Sequence, residues 1–302
     1  MLQQFDERNR AILVNIDGRL LPRDEAGISP FDSAVQGGDA VWEGLRLYGG
    51  RIFKLREHLA RLRGSARALA FSEIPDDETI VGEIRRTLEA NRMTDAVHIR
   101  LTLTRGVKIT SGMDPRLNQS GPTLIVLAEH KAPVYSKSGL RLITSSVRRF
   151  PPDCMDPKIH HCNLIQSILA KLEANRAGAD DAVMLDVRGF VAETNATHLF
   201  AVEGGLLSTP RTVACPEGIT RATVLELCRR HEIRCRVEDL SLAELYRADE
   251  LFCTGTMGEL AAVVELDGRT IGDGAVGPTT RRLSELYAEE TARSGEPVVG
   301  TA

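Results

Sequence analysis

The chain has 302 residues, and at roughly 150 residues per domain this length favours two domains. Its 38 lysines and arginines against 42 aspartates and glutamates give a formal net charge of −4, which argues against binding nucleic acid or anionic membranes through bulk positive charge. Hydrophobic residues make up 42% and charged residues 26%, so disordered and collagen-like classes are excluded. No stretch approaches the roughly 18 apolar residues of a membrane span, and the first ten residues lack the apolar core of a secretory signal. We therefore expect a cytoplasmic protein with no membrane or nucleic-acid partner.

The six cysteines contain no C-x-x-C pair, which favours buried free thiols over a zinc ribbon or a thioredoxin-like centre. One run, His160-His161-Cys162, carries three side chains of the metal-ligand type. Adjacent residues do not converge on one tetrahedral ion, and no second cluster follows at ligand spacing. We therefore expect no metal site.

The first half of the chain alternates between helix and strand patterns. The dipeptide Asp17-Gly18 tolerates the positive φ of a hairpin turn, and apolar residues three and four apart indicate helices with one buried face. Further on, apolar and polar residues alternate, which is typical of a half-buried strand with His98 and Arg100 on its polar face. The predicted elements are a hairpin over 11–20, helices over 53–71 and 77–91, and strands over 97–104 and 124–128.

A linker follows, because residues 129–139 combine charge, proline and glycine. We place an N-terminal α/β domain at 1–130, the linker at 131–138 and a C-terminal α/β domain with mixed strands at 139–302. Within the last, a helix over 164–176 carries aliphatic residues on one face. The other predicted elements are a strand near 141–147, paired strands around 186–189 and 203–205, a helix beginning after 218, and strands flanking turns at 255–258 and 267–268.

Two glycine-containing turns carry the pattern of an anion site. A glycine immediately precedes the predicted helix that begins Ile219-Thr220, and a helix start offers unpaired N–H groups and a positive dipole end to a phosphate. The same residues are also explained by Thr220 capping the helix with no ligand. The turn Gly255–Gly258 offers the hydroxyl of Thr256, and Arg61 on an earlier helix offers a guanidinium that grips phosphate well.

Four ordered segments resemble a known family. They are AVWEGLRLYGGRIFKLREHLARLRGSARAL at 40–69, DAVMLDVRGFVAETNATHLFAV at 181–202, TPRTVACPEGITRATVLEL at 209–227 and ADELFCTGTMGELAAVVELDG at 248–268. Together they resemble the successive signatures of class IV, fold type IV, pyridoxal-phosphate aminotransferases, which include branched-chain and D-amino-acid transaminases and aminodeoxychorismate lyase. The resemblance implies an α/β (α+β) fold of two domains, D-amino-acid aminotransferase-like, with the cofactor in the cleft and a homodimer as the assembly.

The resemblance assigns cofactor contacts to particular residues. Arg61, Ile219, Thr220 and Thr256 match positions around the phosphate of pyridoxal 5'-phosphate, and Glu193 matches the carboxylate that pairs with the pyridine nitrogen. A carboxylate at that place keeps the ring protonated, so that the ring accepts electrons from the substrate carbanion.

The implied reaction needs a lysine that forms a Schiff base with the cofactor and moves the substrate's α-proton. Lys158 is the natural candidate, because it is the only lysine between Lys137 and Lys171. Many family members read lysine, two residues, then asparagine, and alignment on Asn163 puts His160 where the lysine belongs. We favour Lys158, because imidazole moves protons but does not form the imine. A chain with His160 in that place would be a catalytically silent, cofactor-binding homologue.

The substrate carboxylate has two candidate binding patterns. In the branched-chain pattern, His98 and Arg100 bind the α-carboxylate and Met257 contributes from a turn, whereas in the D-amino-acid pattern the charge comes from Arg116 in a loop. Trp42 and its apolar neighbours suit a hydrophobic side chain. We expect amino-group exchange between an amino acid, branched-chain or hydrophobic L- or a D-amino acid, and a 2-oxo acid. An aminodeoxychorismate-lyase-like enzyme is the alternative within the same fold.

Overall fold

The computed structural model describes residues 3–133, 135 and 138–300. These residues divide into two compact units. The N-terminal unit comprises the described residues of 2–132, 159–163 and 291–302, and the C-terminal unit comprises those of 133–158 and 164–290. The domain boundaries given above remain a prediction, and Val134, Ser136 and Lys137 of the predicted linker lie outside the described residues. Within the described ranges, no helix is both long and apolar enough to cross a membrane.

The helices and strands alternate along both halves of the chain. In the first half they are β1 (Leu13–Ile16), β2 (Arg19–Pro22), α1 (Ser33–Gly37), β3 (Ala40–Tyr48), β4 (Arg51–Ile52), α2 (Leu55–Ala68), α3 (Asp77–Ala90), β5 (Val97–Thr104) and β6 (Thr123–His130). In the second half they are β7 (Leu140–Thr144), α4 (Pro152–Met155), α5 (Ile165–Arg176), β8 (Asp181–Leu185), β9 (Val191–Thr194), β10 (His198–Glu203), β11 (Leu206–Pro210), α6 (Ile219–Arg230), β12 (Cys235–Glu238), α7 (Leu242–Tyr246), β13 (Glu250–Gly255), β14 (Glu259–Leu266), β15 (Arg269–Thr270), α8 (Pro278–Arg293) and β16 (Glu296–Pro297).

The N-terminal unit is built on a seven-stranded sheet in the order β16-β4-β3-β5-β6-β1-β2, in which neighbouring strands are antiparallel. The predicted hairpin is confirmed, and Asp17 and Gly18 take the positive φ values of 48° and 74° that its turn requires. The two predicted helices are confirmed as α2 and α3. Their apolar faces, represented by Leu59 of α2 and Ile84 of α3, pack with the strands into one fully buried core.

Strand β5 has the predicted bounds, and its polar face is largely buried. His98 is 8% exposed and Arg100 is half-buried. The central position of β5, between β3 and β6, accounts for part of this burial. Buried polar groups on a central strand need partners, so this face is a candidate for function.

The C-terminal unit holds a nine-stranded mixed sheet in the order β12-β11-β10-β13-β14-β7-β8-β9, with β15 paired to β14. The pairs β11–β12, β14–β7 and β7–β8 are parallel. At its centre, Phe200 of β10 faces Phe252 of β13, and their buried rings stack at 5.0 Å between centroids. This strand order places β13, which is distant in sequence, beside β10, which a short loop joins to β9.

Helix α5 has the predicted position, but its aliphatic face is not buried within this chain. Ala170 and Ala174 instead make the buried contact, with Ala182 and Met184 of β8. Small side chains allow the helix to approach the sheet closely. The aliphatic residues left exposed, each by 44% to 53%, are Ile165, Ile168, Leu169 and Leu172.

Candidate active site

Glu193 is a buried carboxylate of the C-terminal unit. It lies on β9 opposite Met184 of β8, and 4% of its surface is exposed. Arg149 Nη2 lies 3.0 Å from Glu193 Oε1, and it also donates to the carbonyl oxygens of Thr194 and Asn195, at 3.0 Å each. Breaking such a buried pair is costly, because the remaining charge loses its partner. Glu193 is therefore held in one place with a cation beside it.

A thiol and an imidazole adjoin this carboxylate. Ligand-type atoms of Glu193, His198 and Cys215 all lie within 4.8 Å of one another, and all three residues are buried. His198 Nδ1 lies 3.9 Å from Cys215 Sγ. Burial raises the pKa of the Cys215 thiol well above its usual value, and the charge of Glu193 adds to this rise. Arg149 is already paired with Glu193, so a metal cation at this cluster would compete with the guanidinium for the carboxylate.

Lys158 lies in the same unit, shortly after α4. Its side chain is exposed, and its backbone N–H donates to Asp156 Oδ1 at 3.0 Å. The charge of its ammonium group acts on Cys215, where it offsets part of the rise in that thiol's pKa. Solvent and salt screen charges over longer distances, so a charge that acts on Cys215 must be close to it. The amine therefore lies on the side of the unit that carries Cys215 and Glu193.

Gly218 brings the start of α6 against His198. Gly218 itself is the N-cap residue, in an extended conformation with φ −70° and ψ 124°, so the alternative in which Thr220 caps the helix is wrong. A Cβ atom at position 218 would overlap the His198 ring, and only glycine avoids this clash. Thr220 is 4% exposed and Ile219 is half-buried.

The turn between β13 and β14 carries Thr256 and Met257, which are both half-buried. The N–H of Gly258 donates to the carbonyl oxygen of Gly255 at 3.2 Å and closes the turn. A Cβ atom at Gly255 would lie 2.9 Å from Thr197 Cγ2, so the turn packs against the loop between β9 and β10.

Five predicted cofactor contacts thus belong to the C-terminal unit: Lys158, Glu193, Ile219, Thr220 and Thr256. Glu193, the start of α6 and the turn of Thr256 all adjoin the β9–β10 loop or its flanking residues. The sixth predicted contact, Arg61, belongs to the N-terminal unit.

Glu43 is the corresponding buried carboxylate of the N-terminal unit. It lies on β3 with no exposed surface, and it accepts hydrogen bonds from Arg61 Nε and Nη2 at 2.7 Å each, while His58 Nδ1 lies 2.6 Å from its Oε2. Burial opposes ionisation, but the Arg61 guanidinium, together with the hydrogen bond from the His160 ring, holds the pKa of Glu43 well below its usual value. The bidentate pair fixes the orientation of the Arg61 guanidinium.

His160 lies beside β3 in the N-terminal unit. The N–H of Trp42 donates to the His160 carbonyl oxygen at 3.0 Å, and the two rings stack at 4.3 Å between centroids. His160 Nδ1 lies 2.6 Å from the Trp42 carbonyl oxygen and 3.3 Å from Glu43 Oε1. Burial lowers the pKa of His160, so its imidazole is neutral near pH 7. Lys158 and His160, the two candidates for the lysine position, therefore have different surroundings in different units.

Arg100 and His98 lie two residues apart on β5, on one face of the strand. The Arg100 guanidinium lies over the Trp42 ring at 3.5 Å from its centroid, and its Nη2 is 3.9 Å from Cys162 Sγ. His98 Nε2 has no hydrogen-bond partner among the described residues. Burial, together with the nearby charges of Lys131 and Arg100, lowers the pKa of His98 to about 3.

The predicted substrate contacts separate into three places. Trp42, His98 and Arg100 come together in the N-terminal unit. Arg116 is exposed on a turn of that unit, where its guanidinium pairs with the carboxylate of Asp114. Met257 belongs to the C-terminal unit.

Sequence reasoning missed Glu43, Arg149 and His198. Glu43 carried a usable signal, because a charged residue within a largely apolar strand is buried only when it is paired. Arg149 carried none, because it is distant from Glu193 in sequence, and His198 carried none, because it approaches Glu193 across the β9–β10 loop, where strand alternation does not predict contacts.

A model of the amino-transferase class IV family matches residues 40–266. The chain belongs to this family. Among curated relatives, the chain is 53% identical over 291 residues to branched-chain-amino-acid aminotransferase-like protein 2 of Arabidopsis thaliana, covering 96% of this chain and 52% of the relative. It therefore spans about half the length of that relative. It is also 39% identical over 283 residues to a putative branched-chain-amino-acid aminotransferase of Methanocaldococcus jannaschii, covering 93% of this chain and 97% of that one.

Solved structures of branched-chain amino acid aminotransferases are also similar to this chain. The T.th. branched-chain amino acid aminotransferase, complexed with N-(5'-phosphopyridoxyl)-L-glutamate, superposes with a TM-score of 0.87 at 35% identity, over 93% of this chain and 94% of that one. The Escherichia coli enzyme gives a TM-score of 0.88 at 28% identity, over 96% and 98%. The predicted fold type IV class of this aminotransferase is therefore confirmed.

The low pKa of His98 makes stability depend on pH. An unfolded histidine takes up a proton near pH 6.5, whereas His98 in the folded chain does so only near its pKa of about 3. The unfolded state therefore binds more protons, and His98 lowers the free energy of unfolding by about 2 kcal/mol between pH 7.5 and pH 5. Urea unfolding across this range will show a shallower pH dependence for His98→Asn than for the unchanged chain. The exposed His231→Gln variant is the control, and equal slopes for His98→Asn and the unchanged chain would contradict the prediction.

Proposed function

We propose that this class IV aminotransferase uses pyridoxal 5'-phosphate to exchange an amino group between an amino acid and a 2-oxo acid. The observation that carries the proposal is the gathering, in the C-terminal unit, of an amine, a buried carboxylate and a glycine-led helix start. These belong to Lys158, Glu193 and Gly218. The family membership and the cofactor derivatives bound in similar solved structures support it further.

The residues fit this cofactor. Glu193 with its Arg149 partner would face the pyridine nitrogen, and the amides at the start of α6 with the turn of Thr256 would take the phosphate. Lys158 would hold the cofactor's aldehyde carbon through its amine. When bound, the cofactor supplies an electron sink for the substrate's α-carbanion. Arg61, fixed by Glu43, is proposed as a further phosphate contact.

Lys158 also has the chemistry of a proton carrier. Its amine is solvent-exposed and lies near the Glu193 cluster, with Arg149 and Arg221 contributing further positive charge around Cys215. The neutral amine is the form that accepts the α-proton. These features support Lys158 over His160, whose ring is bound to Trp42 and Glu43.

The first experiment locates the imine. After incubation with pyridoxal 5'-phosphate and borohydride reduction, peptide mass spectrometry will find the pyridoxyl group on Lys158. Lys158→Ala will lose this adduct and lower the transamination rate at least about a hundredfold, the range of a lost acid–base group. Lys171→Ala, whose side chain contacts the Asp180 carbonyl, is the matched control. An adduct elsewhere, or none, would contradict the assignment and favour the His160 alternative.

We further propose a hydrophobic or branched-chain amino acid as substrate, with its α-carboxylate on Arg100. The joint placement of Trp42, His98 and Arg100 supports this choice over Arg116, which is engaged by Asp114. The stereochemistry of the amino acid and the identity of the 2-oxo acid follow from assays with panels of L- and D-amino acids.

Arg100→Ala will raise KM for the amino acid at least about tenfold, because a charge-assisted contact contributes about 1.5–3 kcal/mol. Arg116→Ala will leave KM within about twofold, as expected for an exposed ion pair. Steady-state kinetics with the preferred amino acid measure both. The reverse ranking would show that the loop arginine binds the carboxylate.

A homodimer and a cytoplasmic location complete the proposal. The exposed aliphatic face of α5 supports a second copy as its cover, because scattered apolar residues are common on surfaces but contiguous faces mark interfaces. The six cysteines are all free thiols, which suits a reducing compartment.

The α5 face gives a direct test of the dimer. Leu169→Glu will weaken self-association at least about tenfold in sedimentation velocity, because it places a charge in an apolar contact. Val187→Glu, at a turn residue that is 62% exposed, will leave association unchanged. A dimer that persists in Leu169→Glu at every concentration would remove α5 from the interface.

A further inference from the structure

A buried hydrogen-bonded network lies beside the β9–β10 loop of the C-terminal unit. Its centre is Asp181, at the start of β8, which is 2% exposed. Tyr135 Oη donates to Asp181 Oδ2 at 3.0 Å, and Thr194 Oγ1 lies 3.4 Å from the same oxygen. The other carboxylate oxygen accepts from the N–H of Ala182 at 2.7 Å. Both oxygens are thus satisfied by donors within the chain.

The network continues through two threonines into the loop. The hydroxyls of Thr194 and Thr197 lie 2.7 Å apart, and the N–H of Thr197 donates to Thr194 Oγ1 at 2.9 Å. The N–H of Thr194 donates in turn to the carbonyl oxygen of Thr197 at 2.7 Å. These bonds leave the loop little freedom, because each threonine is bound through backbone and side chain.

The network also contacts the turn that carries Thr256, at both of its ends. The methyl group of Thr197 packs on Gly255, where a Cβ atom would approach it to 2.9 Å. The Tyr135 ring lies directly on Gly258, where a Cβ atom would overlap the ring. Glycine at both positions therefore lets two network side chains set the position of the turn.

The same network is bonded to the strand that carries Glu193. Thr194 follows Glu193 directly on β9, and Arg149 joins the two residues by contacting the carboxylate of one and the carbonyl oxygen of the other. One set of hydrogen bonds therefore connects the carboxylate proposed for the pyridine nitrogen with the turn proposed for the phosphate.

We propose that Tyr135, Asp181, Thr194 and Thr197 are positioning residues that fix the turn of Thr256 relative to Glu193, and so raise the affinity for pyridoxal 5'-phosphate. None of them needs to touch the cofactor for this role. The proposal rests on the function proposed above. Preorganised contacts bind more tightly, because their ordering cost is met during folding and not at binding.

The hydroxyl of Thr194 offers the sharpest test. Thr194→Val keeps the size of the side chain but removes the hydroxyl, whereas Thr194→Ser keeps the hydroxyl. Absorbance titration of cofactor-free protein with pyridoxal 5'-phosphate will show a dissociation constant at least about fivefold higher for Thr194→Val, as expected for one lost buried hydrogen bond. Thr194→Ser will stay within about twofold of the unchanged chain, which gives the conservative rescue.

Thr280→Val is the matched control for general loss of stability. Thr280 is 1% exposed in the same unit, and its hydroxyl donates to Glu250 at 2.7 Å, outside the network. We expect it to lower the unfolding midpoint of the cofactor-free protein as Thr194→Val does, with an unchanged dissociation constant. Tyr135→Phe, which keeps the ring on Gly258 but removes its hydroxyl, serves as the second network variant if Thr194→Val does not fold.

The outcomes separate the two proposals. If the network variants lose stability but bind the cofactor like the unchanged chain, the network is structural only and the positioning role is wrong. Equal weakening by Thr194→Val and Thr194→Ser overturns it too, because the hydroxyl then has no part. If the unchanged chain itself binds no pyridoxal 5'-phosphate, the proposed function fails, and the positioning role fails with it.

Discussion

The buried ion pair between Arg149 and Glu193 is the interaction on which the rest of the C-terminal unit depends. Burying two charges costs more than burying apolar side chains of similar size, so such a pair is a poor means of stabilising a fold. Arg149 also binds the carbonyl oxygens of Thr194 and Asn195, and it thereby shapes the loop between β9 and β10. The start of α6 and the turn after β13 both pack on residues beside that loop.

The N-terminal unit repeats this arrangement with different residues. Glu43 has no exposed surface, and its ionised state depends mainly on Arg61, with His160 beside it. Removing Arg61 would leave the carboxylate without its cationic partner in a medium of low polarity. Apolar packing holds α2 against the sheet, and the bonds to Glu43 restrict the orientation of the Arg61 guanidinium on that helix.

Periodicity predicted α2, α3 and β5 of the N-terminal unit, because each buries an apolar face in the core of that unit, but it did not predict β3, β4 or β16. It failed for the burial of α5, since the spacing of aliphatic residues identifies a face but not what covers it. Ala170 and Ala174 pack on β8. Alanine is common on exposed helices as well as in cores, so the sequence did not indicate this contact. The alternation along β5 predicted a half-buried strand, but the burial of its polar face depends on the position of the strand within the sheet, which alternation does not reveal.

Residues of the candidate site could be predicted where they lie in one local sequence motif. They could not be predicted where the fold brings distant residues together. Glu193 and Thr220 lie in segments that resemble class IV aminotransferase signatures, so the sequence predicted both as cofactor contacts. Arg149 reaches Glu193 only in the folded chain, and His198 approaches it across the β9–β10 loop. The choice between Lys158 and His160 depends on the register of a short irregular segment, and spacing does not determine that register.

The path of the chain between the two units has a practical consequence for anyone who wishes to divide it. Residues 159–163 leave the C-terminal unit to run along the free edge at the beginning of β3, and β16 returns near the chain's end to cover β4. A fragment cut after residue 130 would leave the beginning of β3 and the outer side of β4 unpaired, and unpaired edges recruit other chains. The N-terminal unit therefore cannot be excised as a module. Its sheet is complete only after β16 has been synthesised and has paired with β4.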